Sequence, residues 1–224
     1  MKSSLARLSD ERRRGDVFMV KFKNIPVGIL QVNCYIVWVE GHRDALIIDP
    51  GDEPDKIGDA VDSLDLTPTG ILLTHVHIDH IRGVSDLSAR FGLPVWCHEN
   101  DREQYLSPEN ELLPWLPAAK DLPDITDPPA TLPDASYEII WTPGHTRGGV
   151  CYYFKDDGLL FSGDTLFKGT YGRTDFPGGS EDALFNSIRT KLFTLPDDVK
   201  VFPGHSEPTT IGAEKVSQAH ILEE

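Results

Sequence analysis

Thr74-His75-Val76-His77-Ile78-Asp79-His80 follows directly on the apolar run Ile71-Leu72-Leu73 and places four potential metal ligands within six consecutive positions. Imidazole nitrogens and carboxylate oxygens are donors that Zn²⁺, Fe²⁺ and Mn²⁺ accept, and neither group adds much to an apolar core. A lone histidine after a strand is more often a surface residue or a satisfied core residue. Three of them with an aspartate, interleaved with Val76 and Ile78, predict a metal site instead. In a chain that stays extended through Asp79, His75, His77 and Asp79 project to one side and His80 to the other. One cluster would then serve two adjacent metals.

A dinuclear site needs further ligands, and the sequence supplies them in matching contexts. Glu138 to Trp141 is a strand-like run followed by Thr142-Pro143-Gly144-His145; Leu159-Leu160-Phe161-Ser162-Gly163 ends in Asp164; Val199 to Phe202 leads into Pro203-Gly204-His205. Each run reads as a short buried strand that delivers one ligand at its C-terminal end, where a glycine lets the backbone turn. Ligands at strand ends share one rim of the sheets, which is where open α/β architectures keep their sites.

The His-x-His-x-Asp-His pattern at 75 to 80, with His145, Asp164 and His205 in order, resembles the metallo-β-lactamase superfamily and, within it, the glyoxalase II-like hydrolases. The resemblance spans roughly Asp49 to Gly212, and Val32-Asn33-Cys34-Tyr35 and Ile47-Ile48-Asp49-Pro50-Gly51 are similar to the family's opening strands. It implies an α/β fold, a four-layer αββα sandwich with two mixed sheets flanked by helices. It also implies a ligand set: His75, His77 and His145 for one metal, Asp79, His80 and His205 for a second, and Asp164 as the bridge. Asp49 would bond to backbone near the metal loop. The cofactors implied are two divalent ions per chain, zinc first, with iron and manganese also suited to these donors. Asp164 stands where β-lactamases of the superfamily carry a cysteine ligand, and His80 where the commonest of them have arginine, which argues against β-lactamase activity.

Composition fits one soluble domain: 224 residues are enough to bury a sizeable core, and residues 17–224 read as a single unit behind an N-terminal tail of residues 1–16. The formal net charge of −15, with a sequence pI near 4.8, repels polyanions and disfavours extended nucleic-acid binding. Cys34, Cys97 and Cys151 lack metal or redox spacing and read as buried small hydrophobes. No segment has the pattern of a signal peptide or a membrane span, so the expected location is the cytoplasm. The expected partner is a small-molecule thioester, with no nucleic acid and no membrane; oligomeric state has no signal in the sequence.

Strands are expected over Val17 to Phe22, Cys34 to Val39 and Ala45 to Ile48, with helices over Asp55 to Leu64, Ile81 to Phe91 and Asp182 to Phe193. Gly92 should end the second helix. The proline-rich stretch from Leu106 to Pro133 reads as a surface excursion, with a lid over the site as the alternative.

Two metals about 3.5–4 Å apart can hold a hydroxide at neutral pH and polarise a carbonyl, so no serine or cysteine nucleophile is required. Asp79 would both ligate and orient the hydroxide. A thioester such as S-lactoylglutathione suits such a site, because a thiol of pKa about 8.5 leaves readily. The resemblance places Arg173 where glyoxalase II uses a basic residue to bind a glutathione carboxylate; the alternative role is a brace to Asp175. Tyr171 is a second candidate substrate contact. The long glyoxalase II enzymes carry a C-terminal helical domain and a tyrosine soon after the last histidine, whereas here Ser206-Glu207-Pro208 follows. A mononuclear-iron persulfide dioxygenase shares the scaffold and a segment similar to Gly172-Arg173-Thr174-Asp175-Phe176, and a lactonase or esterase would use the same site.

Overall fold

The computed structural model describes residues 19–222 apart from 113, 115, 129 and 130, so the expected N-terminal tail lies outside the described residues. The first sheet has the order β1 (Val20–Val27), β2 (Val32–Val39), β3 (Asp44–Ile48), β4 (Thr67–Leu72), β5 (Val95–Trp96). β1, β2 and β3 pair antiparallel, while β3, β4 and β5 pair parallel. Parallel neighbours need crossovers. α1 (Pro54–Ser63) supplies the one between β3 and β4; α2 (Ile78–Ile81) and α3 (Val84–Phe91) supply the next, and α4 (Arg102–Tyr105) follows β5.

The second sheet contains β6 (Glu138–Trp141), β7 (Val150–Phe154), β8 (Leu159–Gly163), β11 (Lys200–Pro203) and β12 (Thr209–Thr210) in the order β12-β11-β8-β7-β6. Only β8 and β11 pair parallel. Between them lie the two-stranded hairpin β9 (Leu166–Phe167) and β10 (Thr170–Tyr171) and the helix α5 (Glu181–Ser187), which runs on as a π-helical turn over Ile188–Leu192. α6 (Ile211–Ser217) closes the order.

Alternation along the strands sorts the core into three layers. Tyr35, Val37, Leu46 and Ile48 of the first sheet meet Tyr152, Phe154, Phe161 and Phe202 of the second. Their neighbours Cys34, Ile36, Ala45 and Ile47 point the other way, onto Ile57, Val61, Val84 and Leu87 of α1 and α3. On the far side Cys151, Tyr153, Leu160 and Val201 pack on Leu184, Phe185 and Ile211 of α5 and α6. Three cores require four layers, so the arrangement is the expected αββα sandwich of two mixed sheets.

Several local expectations change. β1 is described from Val20 and runs past Phe22 to Val27, because it pairs with β2 over its whole length. The helix expected over Ile81 to Phe91 is two: Gly83 donates to the Pro50 carbonyl at 2.9 Å, and a Cβ there would meet that oxygen at 2.8 Å, so the backbone breaks rank to touch the β3 loop. Gly92 ends α3 in the left-handed region, as expected (φ 67°). Within the proline-rich excursion, Leu112 and Leu116 exchange backbone hydrogen bonds at 2.9 and 3.0 Å and pack on the outer face of the first sheet.

Candidate metal centre

The C-terminal ends of β4, β6, β8 and β11 meet at one rim. β4 leads into His75 and His77, β6 into His145, β8 into Asp164 and β11 into His205. The chain does not stay extended through Asp79: His77 is the N-cap of α2, so Asp79 and His80 sit on a helical turn. That turn, rather than strand alternation, sends them to a different point from His75 and His77.

Two triads result. The ligand atoms of His75, His77 and His145 all lie within 4.8 Å of one another, as do those of Asp79, His80 and His205. In the first, His145 Nε2 is 2.9 Å from His77 Nδ1 and 3.2 Å from His75 Nε2. His145 Nδ1–H donates to the Arg173 carbonyl at 2.6 Å, which leaves Nε2 without a proton. In the second, His205 Nε2 lies 3.3 Å from Asp79 Oδ2, and His205 Nδ1 is directed at the Leu30 carbonyl at 3.1 Å. Asp164 reaches both: Oδ1 is 3.4 Å from His80 Nε2, and Oδ2 is 3.6 Å from both His145 Nε2 and His205 Nε2.

The donors fit cations. Among the described residues, Asp79 Oδ1, His80 Nε2 and Asp164 Oδ1 are buried without a hydrogen-bond partner, a costly state for a polar atom unless something else binds it. Burial and the neighbouring histidines push the His77 imidazole down to about 3 and the His75 imidazole well below its usual value, so both offer lone pairs rather than protons. Burial also lowers His145, although Asp164 and the Arg173 carbonyl resist it. Around His80, burial is outweighed by Asp164, Asp79 and Asp49, which raise it. Burial would raise Asp164, yet His205 and His80 hold it well below the ordinary carboxylate range.

Space is as closely set as charge. A Cβ on Gly204 would stand 2.3 Å from Asp164 Oδ1 and 2.7 Å from His80 Cε1, so only glycine lets the β11 turn approach the site. Asp49 accepts from the Thr74 N–H at 2.7 Å, the Thr74 hydroxyl at 2.5 Å and His80 Nδ1 at 2.9 Å. The expected tie between Asp49 and the 75–80 loop is present, and it also fixes the His80 ring.

Other residues hold the rim without a signal strong enough to single them out. Asn33 donates to the carbonyls of Pro203 and Ser206, both at 3.0 Å, and Tyr35 donates to Pro203 at 2.7 Å, tying β2 to the His205 turn. Tyr152 donates to the Leu73 carbonyl at 2.6 Å, tying the second sheet to the His75 loop. Asp101 accepts from the Thr146 hydroxyl at 2.7 Å and the Gly148 N–H at 2.5 Å, bracing the loop after His145. Asn33 carried one usable sign, a polar residue in an apolar strand. Asp101 carried none, since His98-Glu99-Asn100-Asp101-Arg102-Glu103 reads as solvated surface.

The candidate ligands open on a cavity of about 410 Å³, whose wall includes Leu30, Leu112, Phe167, Tyr171, Arg173 and Phe176. Arg173 forms a bidentate pair with Asp175, Nε to Oδ1 at 2.9 Å and Nη2 to Oδ2 at 2.7 Å. Tyr171 packs edge-on against Phe185 and reaches Glu181 at 3.3 Å. The three cysteines are buried and free, as expected. Among the described residues no helix is long and apolar enough to cross a membrane.

A family model described as the metallo-beta-lactamase superfamily matches residues 27–205. The chain is 38% identical over 207 residues to hydroxyacylglutathione hydrolase GloC of Haemophilus influenzae, covering 86% of this chain and 94% of that one. Among solved structures it is similar to BLEG-1 B3 metallo-beta-lactamase, with TM-score 0.78 and 35% identity over 88% of this chain and 97% of that one. It is equally similar to TTHA1623 in a di-iron-bound form, with TM-score 0.78 and 35% identity over 87% and 98%. The chain belongs to the metallo-β-lactamase superfamily and is a glyoxalase II-like member of it.

Proposed function

We propose that the chain is a metal-dependent hydrolase that cleaves a thioester, with hydroxyacyl thioesters of the S-lactoylglutathione type as the first substrates to test. The observation that carries this reading is Asp164, whose two carboxylate oxygens reach the two triads at 3.4–3.6 Å. His75, His77 and His145 would hold one divalent ion, Asp79, His80 and His205 the other, with Asp164 between them; zinc, iron and manganese all suit the set. Such a pair of ions supplies Lewis acidity toward a carbonyl oxygen and a water acidic enough to attack near neutral pH.

The chain's own groups do the rest. Asp79 Oδ1, buried and without a partner, accepts from the attacking water and points it at the carbonyl carbon, while Oδ2 keeps its place beside His205. As the new C–O bond forms and the C–S bond breaks, the water's proton passes by way of Asp79 to solvent, the sulfur departs as thiolate, and no general acid is needed at a leaving-group pKa of about 8.5. Arg173 and Tyr171 line the cavity, and this position supports assigning them as substrate contacts. Similarity to a protein named as a B3 metallo-beta-lactamase puts a β-lactam in the assay panel.

A second reading, persulfide dioxygenase, draws on Gly172–Phe176: the Phe176 ring lies 5.0 Å from that of His77 and the Arg173 carbonyl accepts from His145. The experiment is elemental analysis of metal-replete protein together with turnover of thioesters, a lactone, a β-lactam and glutathione persulfide. Close to two metals per chain with thiol release is the expected result. Oxygen uptake on the persulfide without thioester cleavage would transfer the assignment to the second reading.

A further inference from the structure

Apart from metal-binding candidates, the cavity wall is Leu30, Leu112, Phe167, Phe176, Thr170, Tyr171 and Arg173. Among the described residues Arg173 is the one full cation of that wall, and its charge is partly offset by Asp175. Its Nε–Nη2 edge is engaged by Asp175, and its guanidinium lies 4.3 Å from the Phe176 ring centre. The other cation of the loop after Asp164, Lys168, is paired with Glu207 at 2.7 Å. A substrate carboxylate approaching the remaining N–H groups of either cation would meet a charge already offset by a protein carboxylate, which weakens its attraction and adds repulsion at close range. The net charge of −15 adds to that repulsion at long range.

A second observation comes from the β1–β2 turn. Ile29 and Leu30 are adjacent apolar residues 69% and 39% exposed at its tip, and Leu30 borders the cavity. The Leu30 carbonyl faces His205 Nδ1 at 3.1 Å, so the tip is anchored to the rim rather than hanging free of it. Leu112, from the proline-rich excursion, closes another side. Apolar surface is thus gathered from three separate parts of the chain around one opening, and its burial by a ligand is favourable at roughly 25 cal/mol per Å².

We infer that this cavity selects an uncharged substrate with an apolar arm, an acyl thioester whose thiol lacks the free carboxylates of glutathione, and that Arg173 meets it as a neutral pair with Asp175. This rests on the hydrolase reading for the site's chemistry but departs from glutathione as the thiol. The physical requirements are complementary: an apolar arm fills the wall, while a neutral thiol side avoids competing with Asp175 and Glu207.

Binding separates this inference from catalysis. The probes are non-hydrolysable thioethers, S-hexyl-N-acetylcysteamine, S-methyl-N-acetylcysteamine and S-hexylglutathione, titrated calorimetrically into the metal-loaded protein. The hexyl cysteamine should bind at least fivefold tighter than S-hexylglutathione and at least tenfold tighter than its methyl analogue. Asp175→Asn should free Arg173 and tighten S-hexylglutathione severalfold relative to the neutral hexyl probe. Binding of S-hexylglutathione as tight as the neutral probe or tighter, indifference to chain length, or no gain in Asp175→Asn would each overturn the inference. The hydrolase reading fails differently: the corresponding hexanoyl thioesters of N-acetylcysteamine and of glutathione would both remain uncleaved, whichever thioether binds better.

Discussion

Asp101 is fully buried, and what it holds is the loop that carries His145. Burial pushes its carboxyl up to about 6, even though the hydrogen bonds from Thr146 and Gly148 and the charge of Arg147 pull it down. An unfolded aspartate titrates near 3.9, so between about pH 4 and 6 the folded chain keeps a proton that the unfolded chain has lost. The stabilising contribution of protonated Asp101 is therefore complete below about pH 4 and lost as pH rises through about 6. Asp101→Asn keeps the shape, and the Thr146 hydroxyl can turn round to accept from the amide. In urea denaturation of metal-free protein, this variant should gain about 1 kcal/mol or more over the parent at pH 7.5 and little at pH 4. A larger gain at pH 4 than at pH 7.5 would refute the sign. Asp101→Ala, which strands the Gly148 N–H and the Thr146 hydroxyl, should lose about 1–3 kcal/mol.

Elements position the ligands through close backbone contacts. At Gly144, φ is +140°, and a Cβ would stand 2.3 Å from the Leu184 backbone nitrogen of α5; Ser180 N–H also donates to the Gly144 carbonyl at 2.8 Å. The β6 turn and the start of α5 are thus one unit, and Gly144→Ala should cost roughly 3 kcal/mol or more and lower metal content, measured by chemical denaturation and elemental analysis. Unchanged stability would show that α5 can retreat. The sequence makes such turns visible as Pro-Gly-His and Gly-Asp after apolar runs, and the apolar runs that become β2, β3 and β8 are equally readable. What it hides is whatever depends on a partner distant in the chain. The break at Gly83 answers to Pro50, and the grouping of Asp79 with His80 comes from a helical turn that the His-x-His-x-Asp-His spacing does not announce. Asn33 and Tyr152 likewise act on turns 170 and 79 residues away, respectively. Arg173 was legible as a loop cation, but its pairing with Asp175 was one of two open alternatives until geometry placed the carboxylate within reach.

Across the whole molecule, three apolar cores support the sandwich, and the ligands occupy only its rim. Removing metal with a chelator should leave the far-UV circular dichroism spectrum nearly unchanged. A ligand at a thousandfold excess over its Kd contributes about 4 kcal/mol, so adding zinc back should raise the thermal midpoint by roughly 8 °C or more at this chain length. A midpoint indifferent to metal would mean that the two triads do not bind it in the folded state. Each triad draws on both sheets: His75 and His77 face His145, and Asp79 and His80 face His205. Neither sheet supplies the whole of either proposed ligand set, and the final contribution, His205, lies at the C-terminal end of the match to the family. During synthesis the 75–80 cluster therefore leaves the ribosome long before its counterparts exist. On the proposed ligand sets, neither ion could be fully ligated until the two halves of the chain had docked, so full metal occupancy would report that docking.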